Sequence, residues 1–340
     1  MKSKGISSKD VAKEAGVSQA TVSYVLNNVK GVKIKPETRE AVIQAAKKLN
    51  YHPNIIARGM RLKRSMSIGI VTDKNVSNYM FMSVLEGIKD ILVPLNYSIT
   101  LCFTRSHDIE NAEFINYYNS NRIDGVIFAF ASLEDENISY MVEHNIPFAI
   151  IDNKPKPDII HTVKNDMTNA VQSLVNQWIM EEINDISYIG FPQGKRCERK
   201  FNTYSKVLEQ NSISLQEEKI FIIPTWDSED IEETINKFLF YLLSNYTSAR
   251  HAILCETTGI AFKLLRAAAL NNISIPDKLS VAAIGTSKFS PDSFPSLSAI
   301  EAPLYDMGME GAKMLIDLIN GKNMNNEVNL EWVYLKRMST

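Results

Sequence analysis

Two periods divide the chain. Through residue 50, apolar side chains recur at helical spacing; from Met66 onward, short β-rich runs alternate with helical stretches. Within residues 7–28, Val11, Ala12 and Ala15 share one face of a short helix, and Val22, Val25 and Leu26 share the face of a second. Ser7 and Asp10 have capping-box spacing, in which each side chain satisfies a free backbone N–H of the other. Gly16 ends the first helix, because glycine enters the left-handed region without steric cost. Ser18 caps the next. A third helix is predicted from Pro36, a residue suited to the first helical position. Its inward positions are Val42, Ala45, Ala46 and Leu49. The second helix leaves Gln19, Ala20, Ser23, Tyr24 and Asn27 on its outer face, which carries hydrogen-bonding and small groups and no acid. That chemistry suits a helix lying in a DNA major groove. Two short amphipathic helices also occur as plain scaffold.

Beyond Met66, the runs SIGIVTD, YSITLCFT, DGVIFAF and PFAIID read as strands. Helical stretches follow at 79–95, 109–121 and 133–144. After residue 165 the strands are ISYIGF, KIFII, HAILC and LSVAAIG, with helices beginning near Glu198, Ser228 and Thr258. Such βα alternation predicts an α/β body: two doubly wound lobes, each a parallel sheet with helices on both faces.

Charge changes the picture. Residues 1–65 carry 14 basic and 4 acidic side chains, a net +10, whereas residues 66–340 carry 23 basic and 35 acidic, a net −12. This is the footprint of a nucleic-acid-binding head on an acidic body. The 340 residues exceed one core and fit two or three domains. No run of 18 apolar residues predicts a membrane span, and MKSKGISSKD lacks the apolar core of a secretory signal, so a cytoplasmic location is expected. Cys102, Cys197 and Cys255 lie far apart, and the first and last, set in apolar runs, are expected as buried reduced thiols. His52, His107, His144, His161 and His251 have no metal-ligand spacing. Phosphate-binding and nucleophile motifs are missing. The pairs Asp135/Glu136 and Glu181/Glu182 lie in polar stretches. No cofactor, metal or catalytic role is expected.

The run DVAKEAGVSQATVSYVLN, followed by PETREAVIQAAKKLNYHPNIIARGMR, resembles the amino-terminal signature of the lactose/galactose repressor family of bacterial transcription regulators. The resemblance implies a helix-turn-helix head at 1–50, a hinge helix or linker at 51–65, and an effector-binding and dimerisation body at 66–340 like a type-I periplasmic binding protein. Its N-lobe would comprise about 66–162 and 291–320, and its C-lobe about 163–290 and 321–340. The ending WVYLKRMST is expected as a final strand, and without a leucine heptad after it a homodimer is expected rather than a tetramer. Gln19, Ala20 and Tyr24 would read bases of a near-palindromic operator; Ser7, Thr21 and Ser23 would hold phosphates; Ser18 and Asn27 lie beside them. In the hinge, Asn54, Ala57 and Arg58 would meet DNA and Met60 would be the minor-groove wedge. A helix so short is marginal in water, and Gly59 weakens it by roughly 1 kcal/mol relative to Ala, so the hinge is expected to fold on DNA.

In open parallel sheets, ligands bind at the carboxyl ends of strands. The effector candidates are Asp73, Asn78, Tyr79, Phe81, Asp152, Lys200, Trp226, Thr257 and Thr286. Here the sequence departs from the family's sugar- and purine-binding pattern. Lys200 stands where an arginine is usual, with Arg199 one residue early. Thr257-Thr258 replaces Asn-Asp, Gly285-Thr286 replaces aspartates, and Asn165-Asp166 reverses the common order. Lysine lacks the bidentate fork of arginine. Two readings stay open: an unusual small-molecule effector, or a degenerate cleft with control by a protein co-regulator. From other classes, a solute-binding protein is disfavoured by the basic head, and an enzyme by the missing catalytic constellation. Tyr24 stands where many members carry arginine and cannot bond guanine in bidentate fashion. Tyr24→Arg should therefore shift the preferred half-site in a binding-site selection; an unchanged consensus would refute the assigned role.

Overall fold

The computed structural model describes residues 6–26, 31–51, 64–102, 112–131, 135–151, 161–183, 185–191, 195–214, 216–245, 250–322 and 327–340, without the side chains of 135 and 195–197. The chain forms two compact units, Met1–Met66 and Ser67–Thr340.

The first unit holds helices α1 (Ser8–Glu14), α2 (Gln19–Leu26) and α3 (Pro36–Lys48). Their inward stripes meet as predicted. Val11, Ala12, Val22, Val25, Val42, Ala45 and Ala46 form one buried cluster, flanked by Ala15, Leu26, Leu49 and Tyr51. Gly16 adopts φ +63° at the turn. Lys48 pairs with Glu14 at 2.5 Å and joins α3 to α1 on the exposed side. An exposed pair of this kind contributes little to stability. The expected hinge helix lies outside the described residues.

The second unit contains two six-stranded sheets. One includes β1 (Ser67–Val71), β2 (Ser98–Cys102), β3 (Val126–Ala129), β4 (Phe148–Ile151) and β5 (Thr162–Asp166), with helices α4 (Tyr79–Leu92), α5 (Glu113–Asn119) and α6 (Asp135–Glu143). The other follows α7 (Thr168–Met180). It includes β6 (Ile186–Gly190), α8 (Lys195–Gln210), β7 (Ile220–Ile222), α9 (Ser228–Asn245), β8 (His251–Cys255), α10 (Thr258–Leu270), β9 (Leu279–Ile284) and β10 (Ser298–Glu301). Last come α11 (Leu304–Ile319), β11 (Glu327–Glu331) and β12 (Val333–Leu335). The N-lobe order is β11-β5-β4-β3-β1-β2, and the C-lobe order is β12-β10-β9-β8-β6-β7. All neighbours are parallel except β12, which runs antiparallel to β10. Central strands covered on both faces need continuous apolar runs. SIGIV, VIFA, FAII and LSVAAI are buried throughout.

Strand pairing corrects the expected lobe limits. β5 pairs with β4 through Val163, so the first crossing follows Asp166 rather than residue 162. β10 pairs with β9, which puts 298–301 in the C-lobe. β11 pairs with β5, which keeps 327–331 in the N-lobe and moves the last crossing to Trp332. These pairings are nonlocal, and a local hydrophobic pattern carries no information about which neighbour a strand will find. Two smaller differences are local: α8 begins at Lys195 rather than Glu198, and α4 ends at Leu92, where Pro94 introduces a 3-10 turn. Cys102 and Cys255 are buried free thiols, as expected. Burial pushes the Cys102 thiol up to about 12 and raises that of Cys255 as well.

Helices α4 and α11 cross closely on the N-lobe. A Cβ on Gly308 would collide with the Val84 carbonyl oxygen, and one on Gly87 with that of Tyr305. Both contacts are backbone, so neither yields by a rotamer change. Gly308→Ala should lower stability by at least about 2 kcal/mol, read as a lower urea midpoint at unchanged slope. In the C-lobe core, His251 is fully buried, with Nε2 at 2.9 Å from Ser187 Oγ. Burial lowers its pKa from 6.5 to about 4. A depressed folded pKa gives stability that is present above the unfolded value and lost as pH falls through the folded one. Relative to His251→Gln, the native chain should lose about 3 kcal/mol between pH 6.5 and 4, measured by urea unfolding across that window.

Candidate nucleic-acid interface and ligand cleft

The outer face of α2 forms as the sequence implies. Gln19, Ala20 and Tyr24 are exposed, Tyr24 by 40%, and Thr21 and Ser23 are half-buried. Ser18 Oγ accepts the Thr21 N–H at 3.1 Å and lies 2.9 Å from Thr21 Oγ1. Ser7 gives its backbone N–H and its hydroxyl to the same Asp10 oxygen, at 2.8 and 2.7 Å. The Ser7 hydroxyl and N–H hold the Asp10 carboxyl below the usual carboxylate range. Gln19 Nε2 donates to Ser8 Oγ at 2.7 Å, a bond between α1 and α2 that periodicity does not reveal. Base contact through that nitrogen requires the bond to exchange. Asn27, Asn54, Ala57, Arg58 and Met60 lie outside the described residues.

The body brings some strand-end candidates together and excludes one. Lys200 Nζ donates to the Glu256 carbonyl at 3.0 Å, next to Thr257. Thr257 Oγ1 caps α10 by accepting the Ile260 N–H at 3.2 Å. Thr286 Oγ1 accepts the Ala302 N–H at 3.0 Å and donates to the Ala302 carbonyl at 3.4 Å. On the N-lobe, Asp73 and Tyr79 are exposed, and Asn78 caps α4 by accepting the Phe81 N–H at 3.2 Å. Phe81 itself is fully buried. It falls on the inward stripe of α4 with Val84, Ile88 and Leu92, so it is core and cannot touch a ligand. Asp152 lies outside the described residues.

Trp226 is 66% exposed, which removes the alternative of an ordinary core aromatic. Its ring stacks on Phe191, with centroids 3.6 Å apart and planes at 25°. Phe191 ends the ISYIGF run, and its N–H donates to Glu256 Oε2 at 2.6 Å. Sequence reasoning missed both Phe191 and Glu256. The available signal was an acid directly after a buried strand, hidden because the two threonines beyond it drew the comparison. Glu256 is buried and folds over Gly190, where any Cβ would collide with the carboxylate. The sequence shows Asn165 only as half of a reversed pair. Its Oδ1 accepts from Trp332 Nε1 at 2.7 Å and from Arg199 Nη2 at 3.4 Å. Among the described residues, no cluster of His, Cys, Asp and Glu could hold a metal ion, and no helix is long and apolar enough to cross a membrane.

Comparison with known proteins agrees with this division. Residues 8–54 match the model of bacterial regulatory proteins of the lacI family, and residues 177–340 match a periplasmic binding protein-like domain. The HTH-type transcriptional regulator RegA of Clostridium acetobutylicum is 33% identical over 92% of each chain. The chain belongs to the lacI family of bacterial regulatory proteins. It is a DNA-binding transcription regulator, with a helix-turn-helix head and a body of two α/β lobes. Catabolite control protein A of Staphylococcus xylosus is 28% identical over 93% of each chain. The Lac repressor bound to ONPG in the repressed state superposes with a TM-score of 0.75 at 21% identity, covering 99% of the regulator and 100% of that chain. At that identity the superposition speaks for the fold alone.

Proposed function

We propose that this regulator is a cytoplasmic homodimeric repressor whose two heads bind a near-palindromic operator, and whose operator affinity responds to a small molecule held between the lobes. Gln19, Ala20 and Tyr24 read base edges, while Thr21, Ser23 and Ser7 face phosphates. Asn54, Ala57, Arg58 and Met60 carry the minor-groove contact of the hinge. Nothing in this reading calls for catalysis, a cofactor or a metal.

The observation that supports an effector is the exposed face of Trp226, held flat by Phe191 at the end of β6. An aromatic platform beside a few fixed polar groups suits the C–H face of a sugar or a planar ring. Lys200, Thr257, Thr286, Asp73, Asn78 and Tyr79 are the groups that would orient it, together with Asp152. ONPG, to which the Lac repressor is bound in the structure compared above, is a first candidate to try. A specific observation favours the second reading. Lys200, Thr257 and Thr286 each already bond a partner within the protein. A ligand must share those bonds, whereas a protein co-regulator need not enter the cleft.

Binding-site selection with the full chain supplies the operator. Thermal shift of the full chain against sugars, phosphosugars, nucleobases and amino acids then tests the cleft. A ligand at 100 times its dissociation constant should add about 2.7 kcal/mol of stability. Trp226→Ala should abolish the shift and the change in operator affinity while leaving DNA binding itself intact. Silence across the panel, with operator binding preserved, would favour the protein co-regulator.

A further inference from the structure

Asn165 is the penultimate residue of β5, in the N-lobe sheet, just before the chain first leaves that lobe. Its side chain meets Trp332, Arg199 and Met307. Oδ1 accepts from Trp332 at 2.7 Å and from Arg199 at 3.4 Å, and Nδ2 lies 3.9 Å from Met307 Sδ on α11. The two bonds to Oδ1 join different things. Trp332 sits in the last crossing, between β11 and β12, and its backbone N–H donates to the Asp166 carbonyl at 2.8 Å. It ties one crossing to the other. Arg199 lies on α8, which follows β6 in the C-lobe sheet, and belongs to neither crossing. Its bond to Asn165 therefore runs from the C-lobe to the N-lobe outside the chain's own connections. The sequence departs from the pattern it resembles at both ends of this contact. Asn165-Asp166 is reversed and Arg199 comes one residue early, and these two departures meet across the lobes.

We propose that Arg199 and Asn165 form an interlobe latch: a bridge, supplied by the protein itself, that holds the lobes in their present arrangement. Arg199 is then a positioning residue for the regulatory transition, and Trp332 keeps the acceptor oriented. The donor is charged and both side chains are half-buried, but at 3.4 Å the bond is long for a charge-assisted one, so the latch is weak enough to open. A bridge made in only one lobe arrangement shifts a two-state equilibrium by its full differential strength. The link from latch to DNA rests on the reading that lobe rotation carries the signal to the heads.

Two substitutions should act in opposite directions. Asn165→Asp keeps the Trp332 acceptor and turns the Arg199 contact into an ion pair, which tightens the latch. Arg199→Met also spares Trp332 but removes the bridge. Melting curves of both variants should stay near that of the native chain, because the crossing bonds survive. Spin labels at Glu143→Cys on α6 and Glu209→Cys on α8, in the full chain with Cys197→Ser, report the lobe separation by double electron–electron resonance. Arg199→Met should raise a second distance population by about fivefold or more, and Asn165→Asp should narrow the distribution around the native distance. An unchanged distribution in Arg199→Met, or a shift in the same direction for both variants, would overturn the latch. Fluorescence anisotropy on a duplex obtained by binding-site selection should show operator affinity moving in opposite directions. If the lobe distances respond and DNA affinity does not, the latch stands and the coupling of lobes to heads fails.

Discussion

At Trp332, between β11 and β12, the chain passes from one sheet to the other, and the backbone N–H of this residue bonds to the carbonyl of Asp166, where the chain made its first such crossing. The division into lobes depends on this junction. Each lobe is discontinuous, so neither sheet is complete until distant segments pair: β11 with β5, and β12 with β10. Tying two crossings to each other fixes the axis about which the lobes can turn. Thr286 does similar work at the remaining crossing by bonding both backbone groups of Ala302. The crossings are thus braced by polar bonds, while each lobe interior is held by apolar packing that resists deformation.

The same economy explains the atypical cleft. A sequence with threonines in place of Asn-Asp and aspartates has fewer groups free to grip hydroxyls. The structure uses those threonines to cap α10 and to brace a crossing. Lysine in place of arginine loses the planar fork, and Lys200 instead bonds the Glu256 carbonyl. Among the C-lobe candidates, the outer face of Trp226 stays open. Glu256 supports that platform indirectly through the Phe191 N–H, a role that only Gly190 beneath it leaves room for.

The head shows how little surface a reader needs. Seven buried residues of three helices suffice to place Gln19, Ala20 and Tyr24 side by side on an exposed face. Electrostatics supplies the rest: the +10 of residues 1–65 attracts DNA, and the −12 of residues 66–340 does not. The Gln19–Ser8 bond ties α1 to α2 and occupies the Gln19 amide nitrogen, so a contact through that nitrogen needs the bond to exchange first.

The sequence by itself determined the elements and the family. Inward stripes such as Val11/Ala12 and Val22/Val25, the Gly16 turn and the buried runs of β3, β4 and β9 are local consequences of period and steric preference, and local rules suffice for them. βα alternation also pointed to Thr257 just beyond β8, whereas Lys200 lies within α8 and comes beside it through its bond to the Glu256 carbonyl. Only the tertiary structure decided which lobe owns β5, β10 and β11, that Phe81 is core, that Trp226 is exposed on Phe191, and that Arg199 meets Asn165. Each of these depends on contacts between residues far apart in the chain. A helical or strand period says which face of an element turns inward, but it is silent on what that face will meet.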